Sequence, residues 1–235
     1  MTVMTQAVVV VPAHNEFAAL PRCLNSVLAA ATDAPVPALV VTVLDACDDA
    51  SASLSGRFGP DVVFLEVGER NVGAARAAGF RFARSLLKSP DEKTWYASTD
   101  ADTRVGAHWL VAQLNRDADM VLGVVHVDQW RHHPDAVADR YEEIYETDEP
   151  GHRHIHGANM GCRADMYWQV GGFHDLATGE DVDLVERFEA AGWRIHWDDE
   201  LSVATSDRRS GRVAGGFADH LNELSREVAS DEEAS

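Results

Sequence analysis

Hydrophobic residues in the first hundred positions come in short dense blocks separated by polar stretches of helical periodicity. Residues 6–12, "QAVVVVP", are β-branched at almost every position, which predicts a strand buried on both faces rather than a half-exposed alternating one. The following "EFAALPRCLNSVLAAA" spaces its apolar residues as a helix does, with Pro21 in the first turns. "PALVVTVL" (37–44), "DVVFLEV" (61–67) and "TWYAST" (94–99) repeat the strand pattern. A polar stretch rich in Asp, Ala and Ser after the second strand is expected to carry a helix, and "GAARAAGFRFARSLL" (73–87) to form another. Strands and helices alternating at this pitch imply right-handed crossovers and a mostly parallel sheet with helices on both faces.

The second half is less regular. "ADMVLGVVHV" (118–127) reads as a strand, "PDAVADRYEEIYE" (134–146) as an acidic helix, and "EDVDLVERFEAAG" (180–192) as a helix ended by Gly192. "WRIHW" and "LSVAT" read as two short strands, and "SREVASDEEAS" as a polar acidic tail that frays. There is neither an internal repeat nor a linker long enough to divide the chain. A single domain over 1–235 is therefore expected: a nucleotide-binding type of half to about 105, an elaborated half to about 210, and a C-terminal helix and tail from 211.

Composition narrows the function classes. The 235 residues carry a formal charge of −19, which opposes binding to nucleic acid or to anionic lipid. No run reaches the ~20 apolar residues that span a bilayer, and the N-terminus lacks the basic region of a signal peptide. Three scattered cysteines, Cys23, Cys47 and Cys162, suit a reducing compartment. A cytoplasmic protein without a spanning segment is the expectation.

Ligands of open parallel sheets bind beyond the carboxyl ends of the strands. Four segments occupy those positions: "PAHNE", "DACDDAS", "ERNVGAARAAG" and "DADT". In the third, Gly73 stands at a turn before a helix whose N-terminus can face an anion, with Arg76 in its first turn. The spacing is not that of the dinucleotide-binding fingerprint. In the fourth, Asp100 and Asp102 flank Ala101 at a strand end, where i and i+2 point the same way. Two close carboxylates repel unless a counter-charge intervenes. A hard divalent cation held by carboxylates and substrate phosphates supplies one; a solvated acidic turn is the plainer alternative. "GHRHIHG" sets His152, His154 and His156 at alternate positions. A zinc hydrolase built on them would need a further protein ligand and an open water position, and no H-E-x-x-H or Cys pair accompanies them.

Taken together, "VVVPAHNE" ending at Glu16, Asp45, "RNVGAARAAG" (70–79), Asp100-Ala101-Asp102, "GANMGCRADMYWQVGGF" (157–173) and "GEDVDL" (179–184) resemble a GT-A-fold glycosyltransferase close to glycosyltransferase family 2. The resemblance covers roughly residues 6–210. It implies an α/β, Rossmann-like, mostly parallel sheet with an acceptor-side elaboration in the second half. The implied activity moves a sugar from a nucleotide-diphosphate sugar to an acceptor hydroxyl, with inversion and with Mn²⁺ or Mg²⁺. Pro12, Ala13, Glu16 and Asp45 would line the nucleotide pocket, Asp45 toward the base, with Gly73 and Arg76 beside them. Asp100 would approach the ribose or metal and Asp102 would bind the metal. Ala158, Asn159, Gly171 and Gly172 would shape the donor-sugar and acceptor region. Asp181 would be the catalytic base, with Glu180 beside it as the fallback.

Two departures from the family pattern stand out. "LDACDDAS" leaves open which of Asp45, Asp48 and Asp49 touches the base. In "ATSDRRSGR", where some relatives supply a metal-ligating His, Asp207 or water would substitute, or Arg208 and Arg209 would neutralise the leaving diphosphate. A non-catalytic module that binds a nucleotide sugar is the competing reading.

Overall fold

A computed structural model describes residues 3–146, 153–208 and 217–234. The chain runs β1 (Gln6–Ala13), α1 (Leu20–Asp33), β2 (Ala38–Asp45), β3 (Val62–Val67), α2 (Val72–Leu86), β4 (Thr94–Ser98), α3 (Trp109–Asn115) and β5 (Met120–Val127). It continues through α4 (Asp135–Glu146), β6 (Met160–Arg163), α5 (Ala164–Gln169), α6 (Glu180–Ala190), β7 (Ile195–Thr205) and α7 (Phe217–Ala234). The strands form one sheet in the order β3-β2-β1-β4-β6-β5-β7. All neighbours are parallel except β6, which runs antiparallel between β4 and β5. This is the α/β, mostly parallel architecture that the alternation of elements predicts.

The β-branched run of β1 explains the layering. Val8 and Val10 pack beneath α2, α5 and α6, together with Phe80, Tyr167 and Phe188. Val9 and Val11 point the other way, onto Leu20, Leu24 and Val27 of α1 and Trp109 of α3. All four valines are fully buried, so the absence of alternation records two covered faces. Gly79 lets α2 sit down on the sheet, because a Cβ there would lie 2.7 Å from Val10 and 2.8 Å from Val43. A third cluster joins α4 to α7 through Val137, Tyr141, Leu221 and Leu224.

Four local expectations change. The polar stretch after β2 forms only a 3₁₀ turn, Ala50–Leu54, capped by Asp49 accepting the Ser51 N–H at 2.9 Å; its Asp and Ser side chains compete with the backbone for hydrogen bonds. Helix α1 starts at Leu20 rather than Glu16, which places Pro21 where a missing N–H costs nothing. "WRIHW" and "LSVAT" belong to one strand, β7, whose pairing with β5 shifts register between Gly123 and Val124. The acidic tail continues α7 to Ala234. No helix among the described residues is long and apolar enough to cross a membrane.

Candidate active site

A cavity of about 690 Å³ opens at the carboxyl edge of β1, β2 and β4, where the four post-strand segments meet. Pro12, Ala13, Glu16, Asp45, Arg76, Asp100, Ala101, Asp102, Glu180 and Asp181 all line it. Among the described residues three non-glycines have left-handed backbone: Arg70 (φ 52°), which lines the cavity, and Asn15 (φ 56°) and Ala46 (φ 48°), which adjoin lining residues in sequence. Such conformations cost energy and persist where the surroundings fix them.

Asp45 ends β2, buried, and its two oxygens accept the main-chain N–H groups of Arg70 (2.8 Å) and Asn71 (2.9 Å). Those bonds fix the turn into α2, whose N-terminus Asn71 caps by accepting the Ala74 N–H at 2.8 Å. Of the three candidate aspartates only Asp45 lines the cavity; Asp49 instead holds the Phe17 N–H at 2.9 Å. His14, which no pattern in the sequence singles out, also lines the cavity. Its Nδ1 lies 2.7 Å from the Asp45 carbonyl, an acceptor only, so Nδ1 carries the proton.

Arg76 is the buried centre of the site. Its guanidinium donates to Asp100 at 2.6 Å and to Glu180, and lies 5.4 Å from the centroid of the Phe173 ring. Burial opposes its charge, but the Asp100 and Glu180 carboxylates outweigh burial and hold it firmly protonated. Gly157 covers this group closely, since a Cβ there would stand 2.5 Å from the guanidinium. Glu180 is raised by burial in spite of Arg76. With Arg76 on it, Glu180 holds the site together.

Asp102 faces a different counter-charge. Its carboxylate lies 3.3 Å from Arg208, which also pairs with Glu16. Burial, against the pull of Arg208 and with the push of Asp100 and Glu16, leaves Asp102 raised to about 6. The buried Cys23 thiol is raised by burial and then by Asp102, Asp100 and Glu16. Two arginines therefore leave this carboxylate group short of positive charge. The donor set is all hard oxygen, which fits Mg²⁺ or Mn²⁺. Among the described residues no three His, Cys, Asp or Glu side chains converge as a complete metal site, so other ligands would have to complete the sphere.

Asp181 stands in the first turn of α6, where its Oδ2 accepts the Gly157 N–H at 2.8 Å and its Oδ1 the Val182 N–H at 2.9 Å. It thus joins the 153–158 loop to α6 while lining the cavity.

Several expected positions are occupied otherwise. Gly73 lies outside the cavity lining; a Cβ there would meet the His174 carbonyl oxygen at 2.2 Å, so the glycine serves close packing. Asn159 is fully buried and committed, donating to the carbonyls of Val124 (2.8 Å) and Leu201 (2.7 Å) and accepting from Trp109 Nε1 (2.8 Å). It fastens β5, β7 and α3 behind the cavity. Gly172 makes room for the Tyr167 ring, and neither it nor Gly171 lines the cavity, whereas Ala158 does. Asp207 accepts the N–H groups of Arg131 (2.5 Å) and His132 (2.6 Å) and pairs with the His132 ring at 2.7 Å, so it anchors a loop. His154 and His156 line the cavity with rings stacked at 6.1 Å; His152 and Arg209 lie outside the described residues. The zinc arrangement has no third ligand among the described residues.

Comparisons with solved structures agree with this architecture. The mannosyltransferase PcManGT from Pyrobaculum calidifontis, in complex with GDP-Man and Mn²⁺, superposes with a TM-score of 0.64 at 16% identity, covering 100% of this chain and 76% of that one. S. aureus TarS 1–349 in complex with UDP-GlcNAc gives 0.63 at 16% identity, covering 97% of this chain and 66% of that one. Against another TarS structure the chain spans 43% of the length, with a TM-score of 0.60 at 14% identity. No curated protein matches the chain in sequence. Residues 8–171 match the family described as Glycosyl transferase family 2, and a match over that much of the chain means that it belongs to this family of glycosyltransferases.

Proposed function

We propose that the protein transfers a sugar from a nucleotide-diphosphate sugar to an acceptor hydroxyl with inversion at the anomeric carbon, assisted by Mn²⁺ or Mg²⁺. The observation that carries this reading is the meeting of Asp45, Arg76, Asp102 and Asp181, from four separate parts of the chain, around one cavity. The named ligands of the similar folds, UDP-GlcNAc in TarS and GDP-Man with Mn²⁺ in PcManGT, support the donor class.

Each residue then has a task. Asp45, held by two main-chain N–H groups, offers its remaining lone pairs to N–H groups of the base. Pro12, Ala13 and Glu16 form the wall beside it, and Ala101 leaves room between the two aspartates. Arg76 holds Asp100 and Glu180 in fixed positions. Asp102, with Asp100, would hold the divalent cation, which supplies positive charge to the departing diphosphate. Asp181 takes the proton of the acceptor hydroxyl as its oxygen attacks the anomeric carbon. The bond from that carbon to the diphosphate oxygen breaks in the same displacement. A carboxylate base contributes typically ~10²–10⁴-fold to such a step, and positive charge at the leaving group adds to it.

A donor screen tests the proposal. Thermal unfolding with UDP-, GDP- and TDP-sugars, each with Mn²⁺ or with EDTA, should give one nucleotide series that raises Tm with Mn²⁺ only, because binding to the native state stabilises it by mass action. No shift with any donor would refute it, and an equal shift in EDTA would remove the metal from it.

A further inference from the structure

The two aspartates that leave β4 are each answered by an arginine, but the two arginines are held differently. Arg76 is 2% exposed and is gripped by Asp100, Glu180 and the Phe173 face. The Arg208 side chain is 29% exposed and grips Glu16 and Asp102 from the open side. With Glu16 and Asp102 it lines both the main cavity and a second one of about 550 Å³. Arg208 lies three residues past the end of β7 at Thr205.

We propose that Arg208 is a built-in counter-ion that keeps a divalent cation off Asp102 until the donor diphosphate arrives, and that it then moves from the two carboxylates onto the phosphate oxygens. The inference rests on the metal-assisted reading above and adds to it an order of events. A cation arriving alone must either displace the guanidinium into water or sit beside it, and like charges at such separations repel strongly where water is scarce. A cation arriving with a diphosphate brings the anion to which Arg208 can transfer. Both positive groups then have partners. Cation and donor would bind as a unit, and the empty site would resist filling by metal alone. A guanidinium suits this exchange, since its planar fork matches carboxylate and phosphate equally well.

The test measures Mn²⁺ on the nucleotide-free protein, by the loss of the electron paramagnetic resonance signal of aqueous Mn²⁺, alongside UDP and GDP binding with Mn²⁺ or EDTA. Arg208→Gln should bind Mn²⁺ alone at least ~tenfold more tightly than wild type, within the usual range of coupling between sites. It should also bind the nucleotide several-fold more weakly in Mn²⁺. Arg208→Lys keeps the charge but has no fork, so its Mn²⁺ affinity should fall between the two, and it carries the test alone if the Gln variant does not fold. Metal-dependent nucleotide binding together with equal Mn²⁺ affinity in wild type and variants would overturn the latch and leave the metal-assisted reading intact. Nucleotide binding indifferent to EDTA would overturn both.

Discussion

The Asp181 carboxylate accepts the main-chain N–H of Gly157 at 2.8 Å, joining the first turn of α6 to the loop that covers Arg76. This contact makes Asp181 a structural tie as well as the proposed base. Asn at 181 keeps an oxygen for the Gly157 N–H, turns its NH2 toward the local Val182 contact, and cannot take a proton. Asp181→Asn should therefore keep its fold and its donor affinity while turnover falls by roughly 10²–10⁴-fold. Circular dichroism, nucleotide titration and single-turnover transfer measure the three quantities. Near wild-type transfer would leave the residue only its structural role.

Replacing Arg76 has the opposite profile. Arg76→Met leaves Glu180 buried, and Asp100 partly so, without their shared cation. Breaking a buried pair from one side typically costs about 3–5 kcal/mol, and urea unfolding should show a loss of that order. Arg76→Lys keeps the charge without the two-pronged reach and should fall in between.

Asp102 predicts a pH-dependent difference in stability. Its folded value, about 6, lies above the ordinary 3.8. The native state thus holds the proton more tightly than the unfolded chain does. The group's contribution is present below the unfolded value and is lost as pH rises through about 6. Asp102→Asn avoids that loss. In EDTA the variant should be more stable than wild type by roughly 1–3 kcal/mol at pH 7.5, and the gap should close toward pH 4. Equal Tm differences at both pH values would contradict the assignment.

At position 73 any side chain must displace backbone. The Cβ of Gly73→Ala would lie 2.2 Å from the His174 carbonyl oxygen and 2.9 Å from the Glu180 Cβ. Overpacking of this kind costs typically ~1–3 kcal/mol, and a shift of the first turn of α2 moves Arg76 with it. Reduced Tm should therefore come with weakened nucleotide binding. A loss of stability with full nucleotide affinity would detach the glycine from the site.

How much of this was legible in the sequence depended on range. The β-branched blocks of β1 to β4 identified themselves because both faces of each strand are covered. Their shared carboxyl edge followed from parallel connectivity, and with it the convergence of Asp45, Arg76 and the Asp100–Asp102 pair. Strand β6 was hidden: Met160–Arg163 is short, holds no β-branched residue and is a strand only because β4 and β5 flank it. The partners of the charges were hidden for a similar reason. Arg76 meets Glu180 across 104 residues, and no local pattern encodes that pairing. Asn159 was expected, from the family resemblance, to shape the donor-sugar region with Ala158; that its side chain is taken up by Val124, Leu201 and Trp109 is likewise encoded in no local pattern.

The reversed direction of β6 has a consequence for how such a protein can diversify. A reversed strand brings its entrance, not its exit, to the edge where ligands bind. The 153–159 segment therefore reaches the cavity from the chain lying between β5 and β6, while the opposite wall is built by the exits of β1, β2 and β4. Changes in length or sequence after Val127 and before Gly157 can reshape one wall of the cavity and leave the register of the first four strands untouched. On the proposed function, substrate preference at that wall can drift while the wall that carries Asp45, Arg76 and Asp102 stays fixed.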